Sequence, residues 1–172
     1  MQDNLEEYFP YIDEEGNILG VITRGQAHNG SKLLHPVVHL HIFNSQGELF
    51  LQLRPKWKDI QPSKWDTACG GHVNLGEDVT TALQREVKEE LNIEDFSPTE
   101  LGHYVFESLM EQELIYSFKA IYNIPISINK EELADGKFWT MQEIHENLGK
   151  GIFTPNFESE YKRYFANEQK NI

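Results

Sequence analysis

Residues Gly71 to Ile93 read GHVNLGEDVTTALQREVKEELNI, and their spacing predicts an amphipathic helix over Glu77 to Leu91 behind a glycine-bearing extended segment. Val79, Leu83, Val87 and Leu91 recur every fourth residue, which lays an apolar stripe along one helix face. At ~100° per residue, Glu86 and Glu90 share a face and Glu89 lies beside Glu86. Glu90 falls inside the apolar stripe itself. A carboxylate there is desolvated, and three neighbouring acids repel one another, so a positive partner is required. Arg85, four residues before Glu89, helps but cannot satisfy all three. A hard divalent cation with oxygen ligands is the usual answer. The plain alternative is a solvated acidic face that binds nothing.

Working outward, Tyr8 to Asp13 and Ile18 to Thr23 read as strands around the turn Glu14-Glu15-Gly16-Asn17. Val37 to Phe43 and Glu48 to Arg54 form an expected hairpin, and Trp65 to Val73 reads as extended, broken at Gly70-Gly71. Gly102 to Glu107, Glu113 to Ile121 and Lys137 to Thr140 read as further strands, with helices over Met141 to Leu148 and Asn156 to Glu168. Pro155 suits the start of the last one. Strands mixed with outer helices imply an α+β chain, built as a mixed sheet in an α/β/α sandwich.

At 172 residues, with no repeat or linker, the sequence reads as one domain over 1–172. The net charge of −13 repels nucleic acid and acidic membrane surfaces, so neither is an expected partner. Cationic side chains serving a phosphate substrate must therefore cluster, or metal must act. A single cysteine, Cys69, allows no internal disulfide and fits a reducing compartment. The acidic start of the chain is unlike a secretory signal, and a cytoplasmic location is expected. Oligomeric state stays open.

The order Gly-x5-Glu-x7-Arg-Glu-Val-x-Glu-Glu-x2-Ile resembles the box that marks the Nudix family. The resemblance implies a Nudix fold and a small-molecule diphosphate bound through Mg²⁺ or Mn²⁺. It makes Glu86, Glu89 and Glu90 metal ligands, with the Gly71 backbone carbonyl beside them. Glu77 would support the helix start and Arg85 would orient the acids. Asn92 stands where the box usually ends in glycine, and Asn also tolerates the left-handed conformation. The general base would lie in the box or in a later loop, where Glu131, Glu132 and Asp135 stand.

From about Asn17 to Phe157 the chain resembles one branch of that superfamily, the type I isopentenyl-diphosphate isomerases and their hydrolase relatives. The matching positions imply a second divalent metal site at His28, His35, His72, Glu111 and Glu113, a donor set suited to Mn²⁺, Zn²⁺ or Mg²⁺. Arg24, Arg54 and Lys58 match diphosphate-binding basic residues, and Phe153-Thr154-Pro155 matches an aromatic-rich segment that closes the pocket. Trp57, Trp65, Tyr104 and Phe153 are available to stack on a base or cover an isoprenoid. The bland readings are loop histidines at 28 and 35, surface or packed histidines at 39 and 41, and lysines 56, 58 and 64 that solvate a loop.

The isomerase reaction needs a cysteine, and the ungapped match puts Gly70 in its place. Cys69 lies one residue earlier, on the opposite strand face unless Gly70-Gly71 forms a bulge. True isomerases of this type also lack most of the Glu86, Glu89, Glu90 set. A hydrolase acting on a phosphorus-containing anhydride is thus the expected function. The alternatives are isopentenyl-diphosphate isomerisation and a non-catalytic metabolite-binding module.

Overall fold

The computed structural model describes residues 3–167. At its centre is β3 (His35–Phe43), HPVVHLHIF, buried over all but its last residue. A strand with so little alternation must be covered on both faces, and this one is. A seven-stranded mixed sheet surrounds it, in the order β5 (Trp65–Thr67), β4 (Leu49–Leu53), β3, β8 (Gln112–Ile121), β7 (Thr99–Glu107). Strand β6 (Cys69–His72) also pairs with β3, and β9 (Asp135–Trp139) with β4. Among the strands of this sheet in the described residues, only β3 and β8 pair in parallel. A separate hairpin joins β1 (Tyr8–Ile12) to β2 (Ile18–Thr23).

Helix α2 (Val79–Leu91) covers one sheet face. Asp78 caps its start by accepting from Thr81 N, and Asn92 ends it in the left-handed region at φ 54°. Ala82, Leu83, Val87 and Leu91 bury against Val38, Leu40, Ile42 and Cys69. Each large aliphatic side chain contributes about 1.5–3 kcal/mol by leaving water. The opposite face carries α3 (Met141–Asn147), α4 (Pro155–Glu160) and a π-helical turn, Tyr161–Phe165. From these, Ile144, Phe157, Tyr161 and Phe165 pack on Leu49, Leu51 and Trp139.

The expected elements are present, with altered ends. The extended run breaks at Ala68, not at Gly70-Gly71, because both glycines lie inside β6 and pair with β3. The helix begins after Glu77, whose carboxylate is held outside it. A four-residue helix α1 (Arg24–Ala27), fixed by a Thr23–Gln26 capping box, follows β2 where the sequence pattern predicts no element. The last helix splits into α4 and the π-helical turn, and the expected end at Glu168 lies outside the described residues. No helix among the described residues is long and apolar enough to cross a membrane.

Candidate active site

A cavity of about 330 Å³ opens where α1, the 54–61 loop, β6 and α2 meet. Glu86, Glu89 and Glu90 line it together with Gly71, His72 and Arg85. Glu90 is 8% exposed, as its place in the apolar stripe requires, and its Oε2 accepts from Gln52 Nε2 at 3.1 Å and Gly70 N at 3.4 Å. Burial, reinforced by Glu86, pushes the Glu90 carboxyl well above the usual range. Burial also raises Glu86, against the pull of Arg85. Both groups thus sit where negative charge is under-compensated.

Arg85 is the organiser of this wall. Its guanidinium donates to Glu77 at 2.6 and 2.9 Å, to Glu86 at 2.8 Å, to Glu89 at 3.3 Å and to the His72 carbonyl at 2.9 Å. Glu77 in turn accepts from Asn74 N at 2.9 Å, which ties the loop before α2 to the helix. Gly71 has a steric reason to lack a side chain. A Cβ there would lie 2.0 Å from the Glu86 carboxyl carbon.

Four of the five second-site residues converge. One ligand atom from each of His28, His35, His72 and Glu111 lies within 4.8 Å of the others. His28 Nε2 is 3.2 Å from His72 Nε2 and 3.1 Å from Glu111. The buried His35 Nε2 has no hydrogen-bond partner. Burial opposes charge on His28, but Asp59 and Glu111 override it and raise its pKa to about 9. Burial holds His72 well below its usual range and His35 at about 4. Glu113 stands apart from this group. It lines the same cavity but accepts from Asn156 Nδ2 at 2.8 Å.

Arg24, Arg54 and Lys58 all line the cavity, each already engaged. Arg24 meets Asp3 at 3.3 Å, Glu7 at 3.3 Å and Asp59 at 3.5 Å. Lys58 lies 3.5 Å from the same Asp3 and 3.8 Å from Glu132. Asp3 thus places a carboxylate between two cations. Arg54 donates to the Ile60 carbonyl at 2.8 and 3.1 Å, which fixes the loop, and reaches Asp66 at 3.5 Å. Lys56 and Lys64 are not part of the lining, and of the later acids only Glu132 is.

Several expectations are corrected by the packing. Phe153, Trp65 and Tyr104 do not line the cavity. Phe153 is 2% exposed in the core with Phe157, whereas Trp57 and Thr154 reach the cavity wall. The β3–β6 register runs without a shift, so no bulge turns Cys69 inward. Its thiol is 1% exposed in the α2-side core, and burial together with Glu90 pushes its pKa up.

His39 and His41, read as surface or packed, are both packed around one buried acid, Glu160 of α4. His39 Nδ1 lies 3.2 Å from Glu160 Oε1, and His41 Nε2 lies 2.5 Å from Oε2. Ser117 Oγ donates to Oε1 at 2.5 Å. Burial opposes charge on His39, but Glu160 overrides it and pushes the pKa to about 9. Burial would raise Glu160, yet His39 and His41 hold it far below the usual carboxylate range. Sequence did carry a signal for this acid. Glu160 sits beside the stripe Phe157, Tyr161 and Phe165, as Glu90 sits within its own stripe.

A mixed sheet between two helical layers, with a carboxylate-rich helix facing a polar cavity, has the architecture of a Nudix-fold hydrolase. The NUDIX domain model matches residues 33–157, and the chain belongs to the Nudix family. It is 36% identical over 140 residues to an uncharacterised Nudix hydrolase of Listeria monocytogenes, covering 77% of this chain and 82% of that one. It is also 30% identical over 152 residues to an isopentenyl-diphosphate Delta-isomerase of Streptomyces avermitilis, covering 85% and 77%. In fold it is similar to DR0079 from Deinococcus radiodurans, with a TM-score of 0.80, 22% identity and coverage of 92% and 99%. The chain is an enzyme of the Nudix pyrophosphohydrolase class.

Proposed function

We propose that the chain, working as a single Nudix domain, hydrolyses a diphosphate linkage in a small nucleoside or other organic diphosphate. Water is the nucleophile at phosphorus, and Mg²⁺ or Mn²⁺ is the cofactor. The observation that carries this reading is the wall built from Glu86, Glu89, Glu90 and Gly71. Its acids are crowded and under-compensated, and only a glycine at 71 leaves room for the Glu86 carboxylate. Oxygen donors so arranged fit a hard divalent cation, with Glu86, Glu89, Glu90 and the Gly71 carbonyl as its holders. Such an ion supplies charge stabilisation for phosphate oxygens and acidifies a bound water.

The chain's own residues do the rest. Arg85 fixes Glu86 and Glu89 in place, so that little reorganisation accompanies binding. Arg24 and Lys58 present positive charge to the diphosphate, which competes with Asp3 for them. Arg54 keeps the loop beneath them ordered through the Ile60 carbonyl. Glu132 lines the cavity 3.8 Å from Lys58, which supports it, among the later-loop acids, as the group that takes a proton from water. The unpartnered His35 Nε2 and the convergence of His28, His72 and Glu111 support a second divalent metal there. The single, buried Cys69 forms no internal disulfide, in keeping with a cytoplasmic location.

The histidine-glutamate group also favours a second reading, isopentenyl-diphosphate isomerisation. Cys69 weighs against it, because the thiol packs in the core on the far side of β6 from that group. The test is a phosphate-release screen over nucleoside, sugar-nucleotide, dinucleotide and prenyl diphosphates with Mg²⁺ or Mn²⁺, run beside an isomerisation assay. Metal-dependent phosphate release that Glu89→Gln removes supports the proposal. Isomerisation without release from any diphosphate overturns it.

A further inference from the structure

We propose that His39 is a substrate-contacting residue of this site, donating from Nε2 to a phosphate oxygen of the bound diphosphate, while the buried Glu160 holds the ring in place. The inference rests on the diphosphate reading above. Three independent features of the structure lead to it.

The first is the geometry of the ring. His39 lies mid-strand in β3, lines the cavity, and has Nδ1 3.2 Å from Glu160 Oε1, an ion-pair contact without the alignment of a hydrogen bond. Glu160 is fully buried and is not itself part of the cavity wall. A carboxylate removed from water must be paired, and here two imidazoles and the Ser117 hydroxyl surround it. With Nδ1 turned to Glu160, Nε2 on the other side of the ring is the nitrogen available to a ligand.

The second is Gly70, the cross-strand partner of His39. A Cβ at that position would lie 3.0 Å from His39 Cδ2 and 3.4 Å from Nε2. Any side chain there would crowd this edge of the imidazole.

The third is charge. Arg24 and Lys58 share Asp3 at one side of the cavity, Arg85 is committed to Glu77 and Glu86, and Arg54 to the Ile60 carbonyl and Asp66. The acids Asp66 and Glu113 face His39 from β5 and β8, His41 shares Glu160 with it, and Tyr104 of β7 lies toward the same acid. His39 therefore brings a hydrogen-bond donor to the part of the cavity lined by the acids Asp66 and Glu113.

The probe is imidodiphosphate, a non-hydrolysable diphosphate, titrated calorimetrically with Mg²⁺ present. His39→Gln is expected to weaken its binding about tenfold to a hundredfold, as loss of a charge-assisted hydrogen bond does. Glu160→Gln is expected to weaken binding less, and to move the ¹⁵N resonance of His39 Nδ1, a signature that packing alone would not give. In the wild-type protein the His39 Nε2 resonance should shift on adding imidodiphosphate, so the test stands even if His39→Gln fails to fold. Unchanged affinity in folded His39→Gln, or an unmoved Nε2 resonance in saturated wild type, overturns the inference. If the wild type binds no imidodiphosphate and cleaves no diphosphate, the functional reading falls first and takes this one with it.

Discussion

Replacing Gly71 by alanine should separate positioning from folding at the proposed metal wall. Gly71 has no positive φ, so alanine fits its backbone, and its pairing with Val38 involves main-chain atoms only. The new methyl would stand 2.0 Å from the Glu86 carboxyl carbon and 2.3 and 2.5 Å from its oxygens, whereas ordinary contact begins at 3.4 Å. The carboxylate must therefore retreat by about 1.4 Å, which also breaks its 2.8 Å bond to Arg85. A displacement near 1 Å in a positioned group costs on the order of a hundredfold in rate, or ~2.7 kcal/mol of barrier. Overpacking costs roughly 1–3 kcal/mol of stability, and the flexible end of Glu86 puts this case at the low end. The assay is kcat/KM for a cleaved diphosphate at saturating Mg²⁺, with thermal melting as the control for folding. A folded Gly71→Ala enzyme within about threefold of wild type would refute the placement of Glu86 in the machinery.

Glu90→Gln should abolish turnover while the melting temperature of the metal-free protein holds or rises, because burial and Glu86 already disfavour its charge. The increase in melting temperature on adding Mg²⁺ should shrink in the same variant, and an unchanged increase would count against Glu90 as a ligand. Cys69→Ala should alter turnover by less than about tenfold, ~1.4 kcal/mol, whereas a thiol moving a proton would cost a hundredfold or more. The Glu160–His39 pair should show its pH dependence in urea midpoints. His39 is raised from 6.5 to about 9, so its contribution is full below 6.5 and fades as pH rises through 9. Glu160 is lowered from 4.5, so its contribution is present above 4.5 and fades only in acid. The destabilisation caused by Glu160→Gln should therefore shrink between pH 6 and 10, and a constant difference would contradict the pairing.

Local periodicity made α2 legible, because four aliphatic residues at one spacing specify a helix face, and Glu90 inside that face marked the site. What stayed hidden depends on partners distant in sequence. His39 and Glu160 are brought together by the packing of α4 on β3, and no local pattern encodes which acid meets which histidine. Gly70-Gly71 reads locally as a break, yet pairing with β3 keeps both residues in the strand. Glu113 stands apart from the four converging residues, and its carboxylate accepts from Asn156 on α4. Phe153 was expected over the pocket, but the aromatic cluster with Trp139 and Phe157 draws it into the core.

Hydrolysis in H₂¹⁸O locates the bond that water breaks at this cavity. With Mg²⁺ or Mn²⁺ and a diphosphate that the enzyme cleaves, ³¹P NMR should show one ¹⁸O in a phosphate product, with no incorporation when Glu89 is replaced by glutamine. Label bonded to carbon of the organic fragment with none bonded to phosphorus, or cleavage that persists in Glu89→Gln, would contradict attack at phosphorus in this site.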